Sequence, residues 1–332
     1  MAEFITAFRV LAGKIESTPG TAETLADADF NVRVWDPAIG TLDVPMDMDP
    51  SKYSTGDFGL GEAIPGPTSA QISFNSKAVN ASGYTTEPNW IKFMKGCGVS
   101  GVSYSGSATS QGIALYPSKY LAENSMTLGV YELERGQNPS GIHFEFAGAM
   151  GNATISVEGT GKPYMVNYEF TGGLNDIDDV IEDDIPALTS PQTDIPDRFL
   201  NGSGTIDGTA VCISTMEFNI GNTISPVQCV GSESGYEKFA ITAQDPTITI
   251  NPVLTRQADF DFWTKFTAGT IQALVIETAQ LRLEIPRAQI TSASIEDDDG
   301  IIRTSLTYRC LRDSTAGTYN YAPWVLKTKN YV

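Results

Sequence analysis

Residues Gly96-Cys97-Gly98-Val99-Ser100-Gly101 spell G-x-G-x-x-G, a pattern that carries a dinucleotide pyrophosphate where it follows a strand and opens a helix. Here the preceding aromatic spacing makes it close a helix, which removes the phosphate reading. Gly161-Lys162 resembles the end of a phosphate loop, but Pro163 stands where a hydroxyl residue is needed, so the stretch reads as a hairpin turn. The single histidine, His143, lies in a strand pattern beside Glu145; mechanisms that need two imidazoles are excluded, and a surface position is expected. Asp297-Asp298-Asp299-Gly300 offers carboxylates for a metal, yet Asp-Gly between two alternating runs is a hairpin signal. Among 40 acidic residues no pair stands out for glycoside hydrolysis. The run Asp176 to Asp184 lacks the spacing of a calcium loop. Cys97, Cys212, Cys229 and Cys310 are scattered without a C-x-x-C and are expected to be reduced and largely buried. The sequons at Asn80, Asn152 and Asn201 carry little weight without a secretion signal. No catalytic, cofactor or metal site is expected.

The chain has 332 residues, 21 Lys plus Arg and a formal net charge of −19. Such a balance argues against a surface that grips nucleic acid or an anionic membrane, since both are polyanions. Neither a basic region followed by an apolar run nor a membrane-length apolar stretch is found, so a soluble protein made in a cytoplasm is expected.

The residues that must position everything else come in two copies. Trp90-Ile91-Lys92-Phe93-Met94-Lys95-Gly96 and Trp263-Thr264-Lys265-Phe266-Thr267-Ala268-Gly269 share W-x-K-F-x-x-G. Their aromatic spacing predicts two short amphipathic helices with Trp90, Phe93, Trp263 and Phe266 as helix-core residues. Gly96 and Gly269 are expected to close them in the left-handed conformation, with Thr86 and Thr255 as N-caps. Each helix follows a Pro-Thr strand start, at Pro67-Thr68 and Pro246-Thr247, and precedes a hairpin. Ile142 to Phe146, Ala153 to Val157 and Tyr164 to Phe170 answer Leu281 to Ile285, Ala293 to Ile295 and Thr304 to Cys310. Phe144 matches Leu283, Glu145 matches Glu284, Ala149 matches Ala288, and Tyr168 matches Tyr308 after a one-residue slip. Agreement in order, period and turn position predicts an internal duplication.

Along the chain, Phe8 to Leu11 and Phe30 to Trp35 read as strands. Lys14 to Thr21 has too little apolar content to fold alone and is expected to lie across another element. A long Gly/Pro/Asp-rich connection from Asp36 to Pro67 follows. The first copy carries an insertion near 100–122, rich in Ser, Gly and Tyr, which suits an extended arm or contact loop. Met216 to Ile220 and the stretch after Gly221-Asn222-Thr223 read as a strand pair.

Taken in order, Lys14-Ile15-Glu16-Ser17-Thr18-Pro19-Gly20-Thr21-Ala22-Glu23-Thr24-Leu25, Phe218-Asn219-Ile220-Gly221-Asn222, Phe260-Asp261-Phe262-Trp263, Ile285-Pro286-Arg287-Ala288-Gln289 and Asp299-Gly300-Ile301 resemble the tail tube proteins of long-tailed bacteriophages. That family shares its fold with type VI secretion tube proteins. The resemblance implies a mainly β chain of two tandem tail-tube-like β-sandwich or barrel domains, each with one short α-helix. Residues 1–175 form the first, with an N-terminal segment and the insertion; 176–198 are an acidic, Pro-rich linker; 199–332 form the second. Many family members have one such domain and form hexameric rings, so two per chain imply a homotrimer with pseudo-sixfold symmetry.

The resemblance also implies a structural, non-enzymatic virion protein whose rings stack into the tail tube, the conduit for genome ejection. Its partners would be itself, a tape measure inside, terminator and baseplate or tip proteins at the ends, and DNA passing without tight binding. It would be assembled in the host cytoplasm and found in the virion. Phe4, Phe8, Tyr104, Tyr116, Tyr120, Tyr319, Tyr321 and Trp324 are candidate inter-subunit contacts. The alternative is a duplicated β-sandwich adhesin or carbohydrate-binding module, stacking sugars on tyrosines of the insertion.

Overall fold

The computed structural model describes residues 4–26, 34–44, 46–50, 63–79, 87–104, 111–117, 124–134, 140–180, 196, 198–232, 234–279, 281–314, 319 and 321–330. The protein is mainly β with two short helices among these residues. The elements of the N-terminal half are β1 (Phe4–Ile15), β2 (Val34–Asp43), β3 (Met46–Pro50), β4 (Ala63–Lys77), α1 (Asn89–Gly96), β5 (Val99–Tyr104), β6 (Gln111–Pro117), β7 (Met126–Glu134), β8 (Gly141–Val157) and β9 (Met165–Val180). Those of the C-terminal half are β10 (Ser203–Ile206), β11 (Thr209–Val211), β12 (Ile213–Asn219), β13 (Asn222–Gln228), β14 (Tyr236–Gln244), β15 (Thr247–Pro252), α2 (Phe262–Thr267), β16 (Ile271–Glu277), β17 (Leu281–Asp298), β18 (Ile301–Cys310) and β19 (Val325–Asn330).

Both halves pair their strands in one order. In the first, antiparallel neighbours run β2-β4-β9-β8-β7-β1; in the second they run β12-β15-β18-β17-β16-β10. α1 follows β4 as α2 follows β15. The register fixes the equivalence residue by residue. Ala153 pairs with Tyr168, which pairs with Phe74. Ala293 pairs with Leu306, which pairs with Ile250. The structural counterpart of Tyr168 is therefore Leu306 and not Tyr308, which pairs with Ile248 as Phe170 pairs with Ile72.

The alternating stretches of each hairpin fuse into one long strand. β8 runs 17 residues with a bulge at Ala147 to Met150, and β17 runs 18 residues. Asp297 Oδ1 accepts from the Gly300 N–H at 2.7 Å. Asp299 (φ 53°) and Gly300 (φ 83°) supply the two positive dihedrals that a tight hairpin turn needs.

One apolar core runs through both halves, from Phe74, Phe93, Tyr168 and Phe170 to Phe218, Ile248, Tyr308 and Trp324. Phe74 is stacked on Tyr168 at 5.0 Å and meets the edge of Phe93 at 4.8 Å. The Tyr168 hydroxyl donates to the Trp90 carbonyl at 2.8 Å, which satisfies a polar group inside the core.

Several expectations are corrected. Of the insertion, 105–110 and 118–122 lie outside the described residues; the rest is a hairpin of β5 and β6 whose Val99, Ile113, Ala114 and Leu115 are buried, and β6 pairs with β19. Both faces of β6 are covered, Ile113 and Leu115 by the main core and Ala114 by Ala322 and Val325, which a Ser- and Gly-rich composition concealed. The acidic run begins inside β9, where Asp176, Asp178 and Asp179 pair with Glu145, His143 and Ile142; the rest of the expected linker lies outside the described residues except 196 and 198. β12 and β13 do not pair. β12 joins β15 and β8, while β13 pairs with β14 as a separate hairpin. The connection after Asp36 contains β2 and β3, and of the strand expected at Phe30 to Trp35, residues 30–33 lie outside the described residues.

The helix termini also differ. Asp261, not Thr255, caps α2 by accepting from the Thr264 N–H at 3.0 Å; α1 starts after Pro88 without a side-chain cap, and Thr86 lies outside the described residues. Gly269 is left-handed (φ 62°), but in the first copy Gly98 (φ 72°) takes that role. Gly96 serves packing instead: a Cβ there would stand 2.5 Å from Met126 Sδ and 2.9 Å from Phe170.

Candidate assembly surfaces

The two halves meet through β12 against β8 as well as through the β6–β19 pairing. Phe218 pairs with Ile248 of its own half and with Ile155 of β8. The Ile220 N–H donates to the Ala153 carbonyl at 3.0 Å. Asn222 Nδ2 donates to the Cys97 carbonyl at 2.8 Å and the Gly151 carbonyl at 2.9 Å, while Asn152 Oδ1 accepts from the Asn222 N–H at 3.1 Å. Gly221 (φ 71°) makes this turn possible, since a Cβ would stand 2.0 Å from the Asp245 carbonyl oxygen. The Phe218-Asn219-Ile220-Gly221-Asn222 motif is thus one joint between the halves.

The N-terminal motif is anchored by Glu16, which is 6% exposed. Its carboxylate accepts from Ser125 Oγ (2.5 Å), Gly148 N (2.7 Å), Gly20 N (2.7 Å) and Thr127 Oγ1 (3.1 Å). Such saturation is what a buried carboxylate requires. Gly20 and Gly148, both with positive φ, lie under Glu237 and Lys238 of β14. Thr21-Ala22-Glu23 continues over β7, where the Glu23 N–H donates to Thr127 Oγ1 at 2.9 Å. Hydrogen bonds from Ser17, aided by Lys14 at 3.2 Å, pull the Glu23 carboxyl down to about 2.

Beside this segment an open cleft of about 420 Å³ is lined by Glu23, Leu25, Tyr131, His143, Glu145 and Asp178 among others. His143 is not free at the surface: it is half-buried and stacked on Tyr131 at 4.2 Å. Burial lowers its affinity for a proton, with Asp176 pulling the other way. Burial likewise raises the Glu145 carboxyl, opposed by the Asn175 hydrogen bond at 2.7 Å and reinforced by Asp176 and Asp178. Tyr131 is pushed up to about 12 by burial, then by Glu145. The cleft has no nucleophile paired with a base, and no group of three or more metal-ligating side chains occurs among the described residues. A second cleft, about 360 Å³, runs between β10 to β11 and β16 and is lined mainly by Phe199, Leu200, Val211, Ile213 and Ile276.

The residues singled out from sequence divide sharply. Trp90 (2% exposed) and Phe93 (0%) are core. Trp263 is 46% exposed, because α2 turns Phe262 inward instead; Phe266 packs partly buried against the core. Trp324 is 0% exposed and meets Phe218 edge-on at 5.2 Å, so it docks on its own chain and cannot touch a neighbour. Tyr116 and Tyr319 contact each other at 5.3 Å, with Tyr319 under the Lys327 ammonium, and Tyr321 lies under Arg312. Phe4, Phe8 and Tyr104 lie in strands, but their side chains, like all of Tyr120, lie outside the described residues. Cys97 and Cys310 are buried, which raises both thiols well above the ordinary thiol range, Cys310 to about 12; Cys212 is exposed and Cys229 half-exposed, against the expected burial.

Sequence reasoning missed the exposed isoleucines Ile295, Ile301 and Ile302 at the far end of the β17–β18 hairpin. Their alternation matched the buried hairpin of the first copy, so nothing local marked them as uncovered. No helix among the described residues is long and apolar enough to cross a membrane. No curated protein matches the sequence. The family model described as phage tail tube protein matches residues 9–310, from β1 to the end of β18, and on that extent the chain belongs to the phage tail tube protein family.

Proposed function

We propose that copies of this protein form rings that stack into the wall of a phage tail tube, the conduit through which the genome leaves the virion. Membership of the family supports a structural role in the virion tail. The carrying observation is the repeated pairing order, β2-β4-β9-β8-β7-β1 and β12-β15-β18-β17-β16-β10, which supports a duplicated tube domain. Three chains then supply six like positions, giving a homotrimer with pseudo-sixfold symmetry. Each chain carries −19. A bore lined by part of that charge repels phosphate, so DNA slides without tight binding. The tube encloses a tape measure protein and contacts terminator and tip proteins at its ends, after assembly in the host cytoplasm.

The role needs no catalysis. A carbohydrate-binding module has less support, because Tyr116, one of the tyrosines it would use, is engaged by Tyr319.

Negative-stain electron microscopy of concentrated protein, with mass photometry of the diluted sample, tests the reading. Hollow tubes dissociating to trimers are expected. Hexamers would overturn the duplication count. A monomer or dimer that never polymerises would overturn the tube reading, and a glycan array would follow.

A further inference from the structure

We propose that the outer edge of β17 at Ala293–Glu296 is the strand-pairing site for β2 of a second copy of this chain, the two strands running antiparallel with Leu42 opposite Ile295. The inference rests on the ring reading and names the edge that closes it.

The template lies inside the chain. β8 has β7 along one edge over its first part, and the same edge is taken further on by β12 in the register Met216↔Val157, Phe218↔Ile155 and Asn219↔Thr154. β17 is built alike. β16 pairs with it only as far as Gln289, and beyond that, among the described residues, its sole neighbour is β18 on the other edge. The stretch equivalent to the part of β8 that β12 covers has no partner on that edge among the described residues.

Burial records the difference. Ala153, Ile155 and Val157 are all buried. Their counterparts are a half-buried Ala293, Ile295 at 52% exposure and an exposed Asp297. An unpaired edge carrying an exposed isoleucine is a template for another strand.

The pairing order identifies that strand. β2 stands to β4 as β12 stands to β15: Leu42 pairs with Ile72 where Phe218 pairs with Ile248. Among the described residues β2 pairs with β4 alone, and none of their strands pairs with its second edge. Head-to-tail repetition of the internal joint makes a heterologous contact, the type that closes rings.

The test uses the full chain in a Cys212→Ser, Cys229→Ser background. One preparation carries Leu42→Cys, another Ile295→Cys. Mixed under mild oxidation, they are expected to give covalent heterodimers as the main product, with at least about tenfold less crosslinking in either preparation alone. Crosslinking of Ile295→Cys chains to one another instead would mean symmetric edge pairing and overturn the proposal. In parallel, Ile295→Lys is expected to keep the monomer's melting temperature while raising the concentration needed for assembly at least about tenfold. Rings formed normally by Ile295→Lys would overturn the edge assignment and leave the ring reading standing. Failure of the unmodified protein to assemble at any concentration would overturn both.

Discussion

The Asn222 side chain reaches from one half of the chain to the other and donates to the Cys97 carbonyl at 2.8 Å, at the point where α1 ends. With its second bond to Gly151, Asn222 satisfies two backbone acceptors that no regular ladder reaches. Asn222→Ala should destabilise the fold by about 1–3 kcal/mol, the cost of leaving buried acceptors without donors. Denaturant unfolding checks it; Asn222→Asp, which cannot donate twice, should be no better than alanine.

Gly96 and Gly161 separate two uses of glycine. Gly96→Ala forces a methyl into Met126 and Phe170 and should cost about 1–3 kcal/mol through overpacking. Gly161→Ala meets no atom within 4 Å and suffers only its φ of 82°, so a loss of about 1 kcal/mol is expected. Thermal melts of the two variants rank them.

Trp324 and Trp263 should behave oppositely. Trp324→Ala empties a fully buried site against Phe218 and should cost about 3–5 kcal/mol. Trp263→Ala removes a ring that is nearly half exposed and should cost below about 1 kcal/mol. Comparable losses in chemical denaturation would mean that the Trp263 ring is buried against the core and not nearly half exposed.

Two carboxylates give opposite pH dependence. Glu23 has its folded pKa lowered to about 2 from 4.5. Its support of the N-terminal loop is therefore full above about 4.5 and fades as pH falls toward 2. Hydrogen exchange of the Ser17 amide should rise across that window after correction for the intrinsic rate, and Glu23→Gln should remove the effect. Glu145 has its folded pKa raised, so folding takes up a proton there and its ionisation weakens the fold as pH rises through that value. Glu145→Gln should stabilise the protein near pH 7, with the advantage shrinking in acid; urea unfolding at several pH values checks it.

Local sequence determined the mainly β character, the two short helices, the Asp-Gly turn before Ile301 and the family resemblance. Each depends on residue types within a few positions of one another: period-2 alternation, aromatic spacing, a dipeptide that tolerates positive φ. Alternation could say that Ile155 and Ile295 each face one side of a strand. It could not say that one side would be covered and the other bare, because the cover comes from β12, more than 50 residues away from Ile155 in the chain. The same limit hid the core role of the Tyr-containing insertion and of Trp324, which are completed by pairing between β6 and β19. It also rotated α2 so that Phe262 and not Trp263 turns inward, a choice made by Asp261 at the cap and by the sheet beneath. Which edges are paired, and which stay unpaired among the described residues, was decided only by the tertiary structure, since strand pairing joins residues that share no local signal.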